Sequence, residues 1–179
     1  YWVHPNLAIH LGQWCSPKFA VRVTNWVMQW KTNQNKTKFP YHIKRYMANL
    51  RNIPTDSWCM LGEMTISLIG PLEARGYTLP EHMLPDISTG RMFCSYLRSK
   101  GIDTNTLPTY KHMFEDGRIV KAKLYPNWLL SDFREYFSKE WLPKNAERYF
   151  KQRDPDALPY LADVIRTLTN SNNKLLKAS

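Results

Sequence analysis

Apolar residues recur along most of this chain with the spacing of amphipathic helices. A helix-like period is visible in eight segments, at about residues 5–14, 17–30, 40–51, 57–75, 89–100, 126–141, 143–153 and 155–170. Proline or a capping residue opens most of them, and Gly76 and Gly101 are suited to end two of them. Pro71 is expected to kink the fourth segment and Ser88 to cap the fifth. The pattern predicts a mainly helical protein.

Between Thr109 and Tyr125 the spacing of apolar residues changes to every second position, as in a β-strand. Asp116-Gly117 in the middle of this segment is a tight-turn signal. This predicts a β-hairpin whose two-residue loop pairs Phe114 with Ile119 and His112 with Lys121. One face of the hairpin would then carry aromatic and basic side chains together: Tyr110, His112, Phe114, Ile119, Lys121 and Lys123. The expected fold class is therefore mainly α with one β-hairpin (α+β). A helix at 89–100 followed by this hairpin is similar in outline to the recognition helix and wing of a winged-helix domain.

The basic residues are distributed unevenly. The chain has 179 residues and a formal net charge of +10, and residues 1–55 contain eight basic residues and no Asp or Glu. A segment with only positive charges produces an electrostatic field that attracts polyanions. We therefore predict a DNA-binding surface, at Lys18, Arg22, Lys31, Lys36, Lys38, Lys44, Arg45 and Arg51, with Lys121 and Lys123 of the hairpin as a second contact. The alternative is a basic surface that serves solubility alone.

Within the helix predicted at 40–51, the apolar positions Ile43, Met47 and Leu50 are expected to face the core. Lys44, Arg45 and Arg51 would then face solvent, where they could contact phosphates.

The first thirty residues carry a dense motif. It comprises the run from Tyr1 to Trp14, then Ser16 to Val21, and Trp26-Val27. This segment resembles the C-terminal half of the KilA-N domain, which occurs in phage, prophage and large-DNA-virus proteins. The resemblance implies DNA binding and places the front half of that domain outside this chain. Residues from about Phe39 to Leu161 resemble the C-terminal region of BstA-type prophage proteins, which implies defence of a lysogen against infecting phages.

The sequence thus suggests C-terminal KilA-N helices at 1–30, a polar linker at 31–39, a helical domain with the hairpin at 40–170, and a frayed tail at 171–179. The three cysteines, Cys15, Cys59 and Cys94, are widely spaced and fit buried free thiols. With no signal peptide or membrane span visible, we expect a protein of the bacterial cytoplasm that does not associate with membranes.

No motif for catalysis or for a cofactor is present. His4 and His10 fit packing better than metal binding, and His112, Glu115 and Asp116 surround a tight turn where acidic residues are common. We therefore expect no enzyme activity, cofactor, metal or small-molecule substrate.

Three functional hypotheses follow. The first is a protein that binds duplex DNA, with a possible homodimer formed through the last helix. The second is a helical interaction or oligomerisation module whose DNA contacts lie in a preceding segment. The third is a metal-dependent nuclease using His112 or Asp116.

Overall fold

A computed structural model describes the backbone of residues 39–176 and the side chains of residues 39–167. The chain divides into two units, Tyr1–Phe39 and Pro40–Ser179. The helices predicted within residues 1–30 and the linker that follows them lie outside the described residues.

The described part is mainly helical. Its α-helices are α1 (Tyr41–Asn49), α2 (Met60–Met64), α3 (Gly70–Glu73), α4 (Pro85–Ser99), α5 (Leu130–Tyr136), α6 (Glu147–Lys151) and α7 (Leu158–Leu176). Short 3-10 turns span Leu50–Asn52, Asn127–Leu129 and Pro155–Ala157. Together with one small antiparallel sheet, these helices confirm the predicted α+β class. Helix α7 runs to Leu176, beyond the predicted end at Asn170.

Two stretches of π-helix join the shorter helices into longer helical paths. Thr65–Ile69 links α2 to α3 immediately before Pro71, and Phe137–Ala146 links α5 to α6 with Pro143 inside it. Proline lacks an N–H and its ring collides with the carbonyl one turn earlier, so a widened turn accommodates it. The prediction that Pro143 begins a separate helix is therefore wrong. Gly70 is needed at the first widening, since a Cβ there would lie 2.9 Å from the Thr65 carbonyl oxygen.

Two predicted helix starts are also wrong. Helix α4 begins at Pro85, with the proline in its first turn, rather than after a Ser88 cap. Helix α2 begins after Cys59, whose Sγ accepts a hydrogen bond from the Gly62 amide at 3.3 Å. The residues just before it are not helical because they form a short strand.

That strand is β1 (Ser57–Cys59), which completes a three-stranded sheet with β2 (Thr109–Met113) and β3 (Ile119–Pro126). The strand order is β1-β3-β2 and both pairings are antiparallel. The sequence indicated the hairpin of β2 and β3 but gave no sign of β1, which is too short to show a period.

The hairpin register differs by one residue from the prediction. Met113 pairs with Ile119, His112 with Val120, and Lys111 with Lys121. The loop has three residues rather than two, because the Gly117 amide donates to the Phe114 carbonyl at 3.0 Å and the Phe114 amide to the Arg118 carbonyl at 2.9 Å. Gly117 has a φ of 84°, as the last residue of such a loop requires.

A shift of one residue moves every side chain of one strand to the other face of the sheet. Tyr110, His112 and Phe114 therefore share a face with Val120 and Ala122. Lys121 and Lys123 lie with Lys111 on the opposite face. The single face of mixed aromatic and basic residues predicted from the sequence does not exist.

A cluster of aromatic rings holds the sheet to the helices. Trp58 of β1 stacks on Tyr125 of β3 with ring centroids 4.6 Å apart, and the rings of Phe133 of α5 and Phe93 lie 5.1 Å and 6.2 Å from it. Phe93 of α4 lies 5.2 Å from Phe133. Rings at these separations stabilise a core beyond their buried area alone. The cluster fixes α4 beside β3, and that placement creates the cleft described below.

Helix α1 packs through a polar stripe, contrary to the prediction. His42, Arg45 and Asn49 are buried, whereas Met47 and Leu50 are 51% and 50% exposed. The prediction failed because hydrophobic periodicity cannot show that α4 and the hairpin present polar partners to this helix.

Arg45 is the centre of that stripe, with 1% of its surface exposed. Its Nη2 lies 2.6 Å from Oδ1 of Asp86 on α4. The guanidinium nitrogens make no aligned hydrogen bond, and the group lies near the Phe114 and Tyr41 rings, 5.3 Å and 5.9 Å from their centroids. One side chain thus connects α1, α4 and the hairpin.

Asn49, one turn after Arg45 on α1, binds the free edge of β2. Its carboxamide donates to the Met113 carbonyl at 2.8 Å and accepts from the Met113 amide at 2.7 Å. Asn52 donates to the Lys111 carbonyl at 3.1 Å. The two side chains occupy hydrogen-bonding positions that a further strand would otherwise use, which protects an edge strand from pairing with another chain.

The Asp86→Ala variant tests the buried pair. We expect it to lower the free energy of unfolding by about 3–5 kcal/mol, since it leaves the Arg45 charge buried without an opposite charge. Chemical denaturation of the purified protein measures this. Glu135→Ala, at the exposed pair of Glu135 and Lys139, is the control and should change the free energy of unfolding little, because solvent screens that pair. Equal effects of the two substitutions would contradict the role given to Asp86.

Candidate functional site

A cleft of about 530 Å³ lies between α4 and the hairpin. Its floor includes Met60 and Leu61 of α2 and Tyr125 of β3. This volume lies within the range of small-molecule sites, and such sites combine apolar walls with a few polar groups.

One wall of the cleft is a stripe along α4. Asp86, Gly90, Cys94 and Arg98 are spaced four apart on the helix and form this stripe. Ile87 and Arg91, next to two of them, widen it. Because Gly90 has no side chain, the middle of this wall does not project into the cleft. A Cβ at Gly90 would meet Met60 Cγ at 3.5 Å and the Tyr125 hydroxyl at 3.7 Å, both ordinary contacts. A larger side chain at this position would therefore project into the cleft.

The opposite wall is the inner face of the hairpin: Tyr110, His112 and Phe114 from β2 and its end, with Val120 and Ala122 from β3. The Tyr110 hydroxyl and His112 Nδ1 share a hydrogen bond of 2.8 Å. The His112 ring meets Phe114 edge to face, with centroids 5.0 Å apart. His112 Nε2 makes no hydrogen bond within the described part of the chain, so it can bind a ligand atom.

Burial controls ionisation at this wall. It lowers the pKa of His112 to about 4, and the nearby Arg45 charge acts in the same direction. Burial also raises the pKa of Tyr110. Both groups are therefore neutral at physiological pH, and they contribute hydrogen bonds rather than charge.

Basic groups border the cleft, and Asp86 is the one acidic residue in its described lining. The Asp86 charge is opposed by Arg45. Arg91 is exposed and has no hydrogen-bond or ion-pair partner within residues 39–167. Arg98 Nη1 donates to the Thr104 hydroxyl at 3.0 Å, and Lys123 Nζ donates to the Thr104 carbonyl at 2.6 Å. The cleft thus presents a neutral interior and a positively charged border.

The ten predicted DNA-binding residues do not form one surface in the described part of the chain. Five lie outside the described residues: Lys18, Arg22, Lys31, Lys36 and Lys38. Arg45 is a correction, because it is buried against Asp86 and cannot reach a phosphate.

The other four predicted residues differ in accessibility. Arg51 is exposed, and Lys44 lies 3.9 Å from Glu115. Lys121 is exposed at the border of the cleft, beside Lys123.

Sequence patterns did not single out Arg91, Arg98 or the pairing of Asp86 with Arg45. A basic stripe was visible on the predicted helix at 89–100, and its position before a hairpin could have drawn attention to it. The partner of Asp86 could not be found in this way, since the two residues are far apart in sequence.

The three residues considered for a nuclease are not gathered at one point. His112 is buried in the cleft wall, whereas Asp116 binds Arg118 at 2.6 Å on the exposed turn. Residues 39–167 contain no group of three or more His, Cys, Asp or Glu side chains that could hold a metal ion. Among the described helices none is long and apolar enough to cross a membrane.

The chain matches two known protein families. Residues 1–33 match the KilA-N domain, which makes this a phage- or prophage-associated protein of a kind linked to DNA binding. Residues 39–156, well over half of the chain, match the BstA C-terminal domain, and the chain belongs to that family. Both resemblances seen in the sequence are thereby confirmed. Neither the curated proteins nor the solved structures compared with the chain include a significant match.

Acid should destabilise the protein through His112. The unfolded chain binds a proton at this residue below about pH 6.5, whereas the folded state resists protonation until about pH 4. Stability should therefore be unaffected by this group above pH 6.5 and should fall as the pH falls towards 4. Thermal denaturation across this range should show a shallower fall for His112→Asn than for the wild type. The exposed His82→Asn is the control, and equal slopes for the wild type and His112→Asn would contradict the assignment.

Proposed function

We propose that this protein binds DNA and catalyses no reaction on it. One observation carries the proposal: the match to the KilA-N domain falls within the stretch of 55 residues that has eight basic residues and no acidic one. Three of these basic residues, Lys18, Arg22 and Lys31, lie within the KilA-N match itself. Lysine and arginine in such a segment position a protein on the duplex without reading its sequence.

The outer face of the hairpin supports a second contact with DNA. Lys111 and Lys121 are directly opposite on neighbouring strands, and both are exposed. Like charges in this position repel each other, so an anion between them is favoured. Of the basic residues of that stretch in the α1 region, Arg51 is exposed, whereas Lys44 is half-buried and lies near Glu115.

The same proposal extends to biological role. Membership of the BstA C-terminal domain family supports a role in controlling phage DNA, either as defence of a lysogen or as regulation. The protein would act in the bacterial cytoplasm and, on a palindromic site, as a homodimer.

The salt dependence of duplex binding tests this function. Binding of the full chain to a labelled duplex, followed by fluorescence anisotropy over a salt series, should weaken steeply as salt rises. Replacing Arg22, Lys31, Lys36 and Lys38 by glutamine should reduce the slope of log K against log salt by up to about 3.6, if each contacts a phosphate.

The control replaces four exposed cations of residues 139–151 in the same way: Lys139, Lys144, Arg148 and Lys151. These variants should bind as the wild type does. Equal losses in both sets would indicate attraction by net charge alone, and no duplex binding at low salt would refute the proposal.

A second candidate is an interaction module, in which this chain binds protein and leaves DNA to another segment. The exposed apolar side chains of Phe39, Met47 and Leu50 favour it. Light scattering distinguishes the candidates: in this case the chain should self-associate in a manner that Met47→Ser and Leu50→Ser abolish, and it should not bind duplex. A nuclease would instead degrade plasmid in the presence of Mg²⁺ and lose that activity on His112→Asn.

A further inference from the structure

The cleft between α4 and the hairpin combines features that suit one kind of ligand. Its interior is apolar and aromatic, with Tyr110, Phe114 and Tyr125 among the residues that line it. A planar, weakly polar group fits such walls, because stacking and burial both favour it.

Two polar groups lie within this apolar space and have unused hydrogen-bonding capacity. Asp86 Oδ1 is buried close to Arg45 but makes no aligned hydrogen bond within the described part of the chain. His112 has an open position at Nε2, since its Nδ1 is held by Tyr110. A carboxylate oxygen accepts hydrogen bonds only, so the ligand must supply an N–H or O–H group to Asp86.

The positive charge at the border of the cleft favours an anionic group on the ligand as well. Arg91 follows Asp86 by five residues on α4, a rise of about 7.5 Å along the helix axis. Its guanidinium is exposed and unpaired in the described part. The ligand therefore has a flat apolar part with hydrogen-bond donors near Asp86 and a negative charge near Arg91. A nucleotide has this composition, with its phosphate separated from the edge of its base by the sugar.

We propose that the cleft holds a single unpaired nucleotide, with its base between α4 and the inner face of the hairpin and its phosphate at Arg91. This inference rests on the proposed function, since it specifies a form of nucleic acid that the protein binds. A base within a duplex has its faces stacked and its pairing edge occupied, so it cannot enter. The nucleotide is either part of a single strand or free in solution.

Asp86 can accept a hydrogen bond from the base. Every base has an N–H group that can donate to the Asp86 carboxylate: an amino group in adenine, cytosine and guanine, and the N3–H in thymine. Single strands with bases therefore bind more tightly than a strand without them. An abasic strand of the same length retains only its phosphate contacts and binds most weakly.

Gly90→Leu is the decisive variant, because it fills the middle of the cleft without changing charge. It lowers the affinity of the full chain for short oligocytidylate or oligoadenylate by about tenfold or more, since stacking and base contacts are lost together. Gly90→Ala is its matched control and leaves affinity nearly unchanged, because a methyl group there makes only ordinary contacts. Anisotropy measures both.

Arg91→Gln tests the phosphate contact and carries the experiment if Gly90→Leu does not fold. It reduces the salt slope for single strands by about 0.7, whereas Lys151→Gln, at an exposed cation outside the cleft lining, leaves the slope unchanged. Competition by cytidine or adenosine monophosphate identifies a free nucleotide as the ligand. Binding of oligonucleotides without such competition identifies a single strand.

Equal affinity for abasic and normal strands overturns the proposal, as does unchanged binding by both Gly90→Leu and Arg91→Gln. Duplex binding is measured on the same variants, because it distinguishes two failures. Wild-type protein that binds duplex but shows no base-dependent binding of single strands refutes the cleft alone. Protein that binds no nucleic acid at all refutes the proposed function as well.

Discussion

A guanidinium shielded from water connects three elements of this domain. Arg45 belongs to α1, its opposite charge Asp86 to the first turn of α4, and the ring of Phe114 to the end of β2. A buried charge is tolerated only where its partner is held in place, so each of these elements must be correctly positioned for the others to be stable. Asn49 strengthens the arrangement by hydrogen-bonding both backbone groups of Met113. The contact also defines one end of the cleft, because Asp86 contributes to both.

The hairpin depends on a second constraint, the conformation of its turn. Gly117 has a positive φ and ends a three-residue loop, which determines the pairing of β2 with β3. That pairing directs the aromatic residues of β2 towards α4. It directs Lys111 and Lys121 to the other face of the hairpin. The neutral wall of the cleft and the basic outer face of the ribbon are thus consequences of one turn.

The two matched regions of the chain differ in charge and in the kind of site they offer. Residues 1–33 match the KilA-N domain and carry three basic residues and no acidic one, which suits contact with phosphates. The BstA C-terminal domain at 39–156 has a more balanced charge and a cleft with a neutral interior. Attraction to phosphates and binding of a base are separate physical tasks, since the first requires charge and the second requires a site that excludes water.

The sequence by itself determined the helical class, the existence of the hairpin, the uneven charge and the two family resemblances. These features depend on local patterns, such as helical periodicity, the Asp116-Gly117 turn signal and short motifs. Tertiary structure alone decided that Arg45 is buried, that Met47 and Leu50 are exposed, and that β1 pairs with β3. Each of these depends on partners far away in the chain, which a local period cannot identify. The hairpin register was missed for a related reason: Asp-Gly fits a two-residue and a three-residue loop alike, so the local turn signal cannot choose between them.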